Sequence, residues 1–231
     1  MTDTIGESTS PPAYSAPLSL ETLRHNLGAY WSDDSHSFLA HWAGLRAFAL
    51  IPATEKFLDT PLLRLAPQIY IVELIDDVAL VRLQGTALDE RWTTQLTGRD
   101  LHEGLPDKVR QRSMANMRRI VAQPCGYLAR NVYATSLNRA VTDDLMQLPL
   151  GVRAGRPPRV VCLTLMERDE DMGETVSSFH TDALTWLDLG AGVPEKPPLD
   201  LLVSELFFKP ALENDACGIG AHTDVGVRRQ A

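Results

Sequence analysis

The chain has 231 residues, of which 44% are hydrophobic and 23% charged, and its formal net charge is −8. This size supports one substantial hydrophobic core, or one domain with an appendage, and the composition is that of an ordinary globular protein. The acidic balance argues against sequence-independent nucleic-acid binding, which needs a net positive surface.

The sequence carries no sign of a membrane anchor or a disulfide framework. No apolar run reaches membrane-spanning length, and the polar start of the chain lacks a signal-peptide pattern, so we expect a cytoplasmic protein with no membrane partner. The cysteines Cys125, Cys162 and Cys217 are far apart and lack C-x-x-C spacing. They are therefore predicted to be reduced thiols that bind no metal.

The N-terminal part of the chain predicts a lead segment and two helices. Residues 1–17 contain three prolines, several Ser and Thr residues and almost nothing to bury, which is typical of disorder. A short helix is predicted over residues 19–31. In a second helix, which Ser35 is expected to cap, Phe38 and Trp42 recur at helical spacing and predict a face that packs on a sheet.

A β-hairpin is predicted next. Residues 69–75 are apolar on both faces apart from Glu73, which is typical of a central strand. Asp76 and Asp77 are expected to form a tight turn into a second strand over residues 78–85.

The second strand leads into a short helix. Its period-two alternation predicts one buried face formed by Ala79, Val81 and Leu83. Gly85 ends the strand, and we expect a close backbone approach there that a Cβ would disturb. Thr86 is expected to cap the helix. Its buried face is predicted to consist of Leu88, Trp92 and Leu96, before Gly98 ends it.

These residues carry a resemblance to a known family. The run from Arg82 to Leu101, RLQGTALDERWTTQLTGRDL, resembles the R-x-x-G-T and T-G-R-x-L signature of stand-alone proteobacterial PAS-type domains of uncharacterised function. Residues 38–75 resemble that family's W-x-x-L-R segment, and LMQLPL at residues 145–150 resembles its L-P-L strand. The resemblance covers residues 35–168 and implies a five-stranded antiparallel sheet.

A longer helix and three further strands are predicted after this signature. The helix begins at Pro106 and ends before Pro124, and its inner face includes Met114 and Met117. Methionine-rich faces adapt to ligands, although plain core packing is the more common reason for such residues. The three strands are predicted over residues 126–134, 145–150 and 159–166.

The predicted fold class is α+β: a PAS-like five-stranded antiparallel sheet with helices on one face, N-terminal helices and a C-terminal tail without an assigned structure. The predicted divisions are a disordered lead at residues 1–17, a PAS-like domain at 18–168 and an acidic appendage at 169–231. Within the appendage, residues 178–189 are predicted to form a short helix. The apolar stretch at residues 199–208 is expected to bury on the core or in a homodimer interface.

The predicted function is that of a non-enzymatic sensory or adaptor protein. It would bind a small hydrophobic ligand, a partner protein of unknown identity, or both, and it would need no cofactor. The ligand is expected between the sheet and the methionine-bearing helix. The predicted ligand-binding residues are Val81, Leu83, Trp92, Met114 and Met117. A haem-binding variant of this domain would have only His102 as its candidate axial ligand.

Two alternatives stay open. The segment GIGAHTDVG at residues 218–226 resembles the H-x-D segment of isopenicillin-N-synthase-like oxygenases that use iron and 2-oxoglutarate, with His222 and Asp224 as the implied iron ligands. That interpretation would make the chain a fragment of, or a fusion to, such an oxygenase. The second alternative is a structural interaction domain with a filled core and no ligand.

Overall fold

The computed structural model describes residues 16–28, 31–92, 95–135, 140–166 and 176–199. Its helices are α1 (Leu20–Leu27), α2 (Asp33–Gly44), α3 (Thr54–Asp59), α4 (Thr86–Trp92) and α5 (Asp107–Ala122). Its strands are β1 (Ile69–Ile75), β2 (Val78–Gln84), β3 (Cys125–Thr135), β4 (Ala140–Leu150), β5 (Arg159–Met166) and β6 (Val176–Asp188). None of the described helices is long and apolar enough to cross a membrane.

The strands form one antiparallel sheet in the order β2-β1-β5-β4-β3-β6. This confirms the α+β class and corrects the number of strands from five to six. The predicted helix over residues 178–189 is wrong, because this stretch lies in β6 and pairs with β3 along nearly its whole length. Its Phe, Thr and Trp residues favour a strand.

The sixth strand lies beyond the predicted domain boundary at residue 168. The division into residues 18–168 and 169–231 stays a prediction, but a strand of the same sheet begins at Val176. Leu187 near the end of this strand and Leu189 just after it are fully buried, at 1% and 0% exposure. The sheet and its core therefore extend well into the predicted appendage.

Helices cover both faces of the sheet. One hydrophobic cluster, here called the first face, joins α1, α2 and α3 to side chains such as Ile71 and Leu148. The other, here called the second face, joins α4 and α5 to side chains such as Val72 and Tyr127. The strands alternate between the two clusters, as expected for a sheet buried on both sides.

Helix α2 has a local N-terminal cap and a long-range hydrogen bond to the sheet. Helix α2 is capped by Ser32, whose side chain accepts from the Ser35 amide at 3.2 Å, so the predicted cap at Ser35 is wrong by one turn. Trp42 donates its indole N–H to the Pro149 carbonyl at 3.0 Å. This bond ties α2 directly to β4.

The predicted hairpin of β1 and β2 is confirmed, and Gly85 follows it at a close backbone approach. A Cβ at Gly85 would lie 2.3 Å from the Pro67 carbonyl oxygen and 2.5 Å from that of Ala66. The Gly85 amide also donates to the Ile69 carbonyl at 2.8 Å. No larger residue fits here unless the backbone moves, as the sequence predicted.

The T-G-R-x-L segment lies along the free edge of β2. The Gly98 amide donates to the Val81 carbonyl, the Val81 amide donates to the Arg99 carbonyl, and the Leu101 amide donates to the Ala79 carbonyl. The prediction that α4 reaches Leu96 is wrong, because α4 ends at Trp92. Gly98 instead occupies a turn with φ +86°, where its missing Cβ avoids strain.

Candidate functional site

Three of the five predicted ligand-binding residues come together on the second face. Val81, Met114 and Met117 belong to one cluster and are 0%, 3% and 0% exposed. Trp92 is the last residue of α4, but its side chain lies outside the described part of the structure. The prediction for Trp92 is therefore open.

Leu83 packs on the opposite side of the sheet, against the first face. The cause is a β-bulge: Val81 pairs with Val72, and Leu83 pairs with Ile71, so Arg82 is an extra residue on β2. The bulge breaks the strict alternation from which one face was predicted for Val81 and Leu83. The two residues cannot line the same ligand site.

Arg82, the extra residue of the bulge, pairs with the buried carboxylate of Glu73. Glu73 is 4% exposed and accepts from Arg82 Nε at 3.1 Å and from Arg159 Nε at 2.8 Å. Burial acts to raise the pKa of Glu73, but hydrogen bonds from the two guanidinium groups outweigh it and lower that pKa. The arginine of the R-x-x-G-T signature therefore stabilises the sheet.

A transverse row of polar and aromatic residues crosses the second face, one residue from each strand. Directly paired residues lie on the same side of a sheet, so the strand register places these six side chains together. In spatial order the transverse row consists of Gln84, Tyr70, Cys162, Gln147, Tyr127 and Trp186. Sequence reasoning missed it, because it combines residues from distant parts of the chain.

The centre of this row is buried and hydrogen-bonded. Tyr70, Cys162 and Gln147 are 4%, 0% and 4% exposed, and Tyr70 forms side-chain hydrogen bonds with the other two. Burial, with Cys162 and Asp143 nearby, raises the pKa of Tyr70 well above its usual value. Burial likewise raises the pKa of Cys162. Both groups are neutral at physiological pH, so they suit hydrogen bonding rather than nucleophilic attack.

A buried carboxylate lies beside the row. Asp143 is 5% exposed and accepts a short hydrogen bond from the Thr164 hydroxyl of the neighbouring strand. Asn131 on β3 pairs with Asp143, and its side-chain oxygen accepts from Thr181 of β6 at 3.1 Å. Polar groups thus continue from the row toward one end of the second face.

His102 connects the edge segment of β2 to α5. Its Nε2 lies 2.7 Å from Ser113 Oγ, and its Nδ1 lies 3.5 Å from Asp100 Oδ1. Burial lowers the pKa of His102, against the opposing influence of Asp100. The order of contacts resembles a Ser-His-Asp triad, but Ser113 is buried at 8% exposure and the His-to-Asp distance exceeds a hydrogen bond. We assign the group a structural role.

The first face has an open cleft at its rim, with a volume of about 450 Å³. Arg130 there donates to both carboxylate oxygens of Asp144, at 2.6 and 2.8 Å, and lies 5.6 Å from the centre of the Trp31 ring. Arg64 and Asp34 form a second ion pair at 2.5 Å. Both guanidinium groups of the cleft thus have a carboxylate partner within the protein.

A protein-family model described as a PAS domain matches residues 30–165. This match covers more than half of the chain, so the protein belongs to the PAS domain family. A search of curated proteins finds no match. The family match ends at the last residues of β5, so β6 is an addition beyond the matched region.

The implied iron ligands His222 and Asp224 lie outside the described residues. The oxygenase alternative therefore stays a prediction. Within the described part of the chain, no group of three or more His, Cys, Asp or Glu residues is arranged to hold a metal ion.

Proposed function

We propose that this PAS domain is a non-enzymatic sensory or adaptor module that binds a small ligand between α5 and the second face. The observation that supports this most directly is the transverse row, which places Tyr70 and Gln147 near the centre of a mainly apolar layer. Family membership supports a sensory or interaction role at the level of the domain.

Polar side chains in the interior of a sheet face cost folding stability. Burying a phenol or an amide lowers stability unless its hydrogen bonds are satisfied, and an apolar residue at the same position avoids that cost. Ligand sites combine apolar walls with a few convergent polar groups that orient the ligand. The second face has this composition, because Met114 and Met117 of α5 pack over the same cluster as Tyr70.

The chemistry of the row suggests the class of ligand. Neutral phenol, thiol and amide groups recognise an uncharged molecule that is mainly apolar and carries one or two hydrogen-bonding groups. The flexible thioether side chains of Met114 and Met117 can repack around it. Movement of α5 would then transmit binding to a partner protein.

Methionine-methyl NMR tests this proposal with an internal control. The full chain is labelled at the methionine methyl carbons and titrated with a library of small apolar compounds that each carry one hydroxyl or amide group. We expect at least one compound to shift the Met114 and Met117 signals in a saturable way. Met146 is buried in the first face, so its signal should not move.

Two outcomes would count against the proposal. If no compound shifts Met114 or Met117, the alternative of a filled interaction domain without ligand is favoured. If Met146 shifts as much as Met117, the compounds act on the whole fold rather than on the second face. Assignment by single Met→Leu substitutions excludes confusion between the signals.

A further inference from the structure

Residues 190–199, here called the strap, follow β6 and lie against α5. The Ala191 carbonyl accepts from Gln123 Nε2 at 3.1 Å, and the Pro197 carbonyl accepts from Arg119 Nη1 at 3.4 Å. Leu199 contacts Asn116, nearer the start of the helix. The strap therefore runs antiparallel to α5, with a contact about every turn of the helix.

The contact at Asn116 is bidentate. Asn116 Nδ2 donates to the Leu199 carbonyl and Asn116 Oδ1 accepts from the Leu199 amide, both at 2.9 Å. The side-chain amide thus satisfies one backbone unit of the strap as a neighbouring β-strand would. Asn116 is 1% exposed, so this exchange takes place out of water, where a lost hydrogen bond costs most.

Trp186 of β6 and the side chains of α5 form a groove that the strap occupies. The Trp186 indole N–H donates to the Lys196 carbonyl at 2.9 Å, and its ring packs edge-on against Tyr127 with centroids 5.8 Å apart. An indole that donates to a backbone carbonyl beside prolines is a recurring element of proline-rich peptide recognition. Trp186 also ends the transverse row, so the groove adjoins the second face.

Each of these hydrogen bonds is made to the strap's backbone, whose conformations are restricted by its prolines. Pro194, Pro197 and Pro198 fix φ and restrict the residue before each of them. Such a segment loses little conformational entropy when it docks. Val193 is 43% exposed, and Glu195 and Lys196 are also exposed, so the strap buries little of itself and can open locally.

We propose that the groove formed by Asn116, Arg119 and Trp186 is a recognition site for proline-rich segments. In the free protein the strap occupies it, and a proline-rich segment of a partner protein takes the strap's place. The strap competes at the millimolar effective concentration typical of short connections. A partner segment therefore displaces the strap only if its affinity or its concentration is high enough to overcome this competition. This interaction is independent of whether the second face binds a small ligand.

The test uses a fluorescein-labelled peptide, GVPEKPPL, which copies residues 192–199, and measures its anisotropy with the full chain. The receptor is compared with a strap variant carrying Pro197→Gly and Pro198→Gly, which weakens internal docking by making the strap flexible. We expect the strap variant to bind the peptide at least about tenfold more tightly than the unaltered chain does. A peptide with both prolines replaced by glycine is the matched control and should bind more weakly.

Two groove substitutions show where the peptide binds. Added to the strap variant, Trp186→Phe removes the indole donor but keeps an aromatic ring against Tyr127, and Arg119→Ala removes an independent donor. Each should weaken peptide binding by up to about tenfold while the melting temperature stays close to that of the strap variant. The proposal is overturned if the strap variant shows no saturable binding, if the two peptides bind equally, or if neither substitution weakens binding.

Discussion

The two faces of the sheet are buried to a similar degree but differ in chemistry. The first face is lined mainly by aliphatic and aromatic side chains such as Leu148, and its buried carboxylate, Glu73, is paired with two arginines. The second face has Tyr70, Gln147 and Asp143 buried among its apolar residues. The polar groups buried on the second face are therefore mainly neutral side chains near its centre, whereas the buried carboxylate of the first face is neutralised by ion pairs.

Under the proposed function, this difference separates stability from ligand binding. A face made mainly of apolar side chains favours burial, and substitutions there cost the full transfer and cavity energies. A face that accepts polar groups and methionines in its centre gives up some of that stability, as binding sites commonly do. The predictions below test this contrast in order of decreasing effect.

The largest effect is expected from ending the chain at residue 168, which removes β6 from both faces at once. The predicted division at residue 168 implies that such a protein stays folded. The structure leads us to expect the opposite, because β3 would lose one of its two neighbouring strands and become a long exposed edge, and the buried Leu187 and Leu189 would be absent. Thermal unfolding by circular dichroism should show a broad transition or none. A sharp transition near that of the full chain would restore the original boundary.

A matched pair of methionine truncations compares the faces directly. Met146→Ala on the first face should lower the free energy of unfolding by about 2–5 kcal/mol, because Met146 is 1% exposed and its truncation leaves a cavity. Met117→Ala on the second face should cost less, toward the lower end of this range, because a face adapted to a ligand relaxes more readily into the space. Urea unfolding of both variants provides the measurement. Equal losses would mean that the second face is packed as tightly as the first.

The close approach at Gly85 predicts a backbone effect of intermediate size. Gly85→Ala should destabilise the protein by about 1–3 kcal/mol, because the new methyl group would meet the Pro67 carbonyl oxygen. Gly44→Ala in α2 is the control, since nothing lies within 4 Å of its Cβ position. That change should be neutral or stabilising by up to about 1 kcal/mol. Similar destabilisation in both variants would remove the special role of Gly85.

His102 predicts a smaller, pH-dependent effect on the second face. Burial lowers the pKa of His102 in the folded protein, whereas the unfolded chain has an ordinary value of about 6.5. As the pH falls through about 6.5, the unfolded state gains a proton first, so stability should decline from there until His102 is also protonated in the folded protein. His102→Gln should reduce this decline. An identical pH profile in the variant would show that His102 contributes nothing to it.

The local features of the fold were accessible from the sequence, and the features that depend on register were not. The alternation before Gly85 and the turn at Asp76 identified the β1 and β2 hairpin, because both signals lie within one short stretch. The bulge at Arg82 leaves no mark in hydrophobicity, so Leu83 was placed on the wrong face. The family signature was recognised for its pattern, whereas its residues prove to stabilise the edge of the sheet.

The transverse row required knowledge of the whole sheet. Tyr70, Gln147 and Trp186 come from three distant segments, and only the strand pairings place them side by side. The strand β6 was missed because Phe179, Ala183 and Leu187 recur at four-residue spacing, which matches a helix as well as a strand. Its threonine and aromatic content was the signal that should have favoured a strand over a helix.

Neighbouring residues of β4 provide the most direct test of the functional contrast. Gln147 is on the second face and Met146 is on the first, and both are buried. Native mass spectrometry would compare the protein purified under gentle conditions with its Gln147→Leu and Met146→Leu variants, after confirming that all three are folded. We predict that a small molecule is retained by the unaltered protein and by Met146→Leu but lost from Gln147→Leu. Equal retention by both variants, or loss only from Met146→Leu, would contradict a ligand site on the second face.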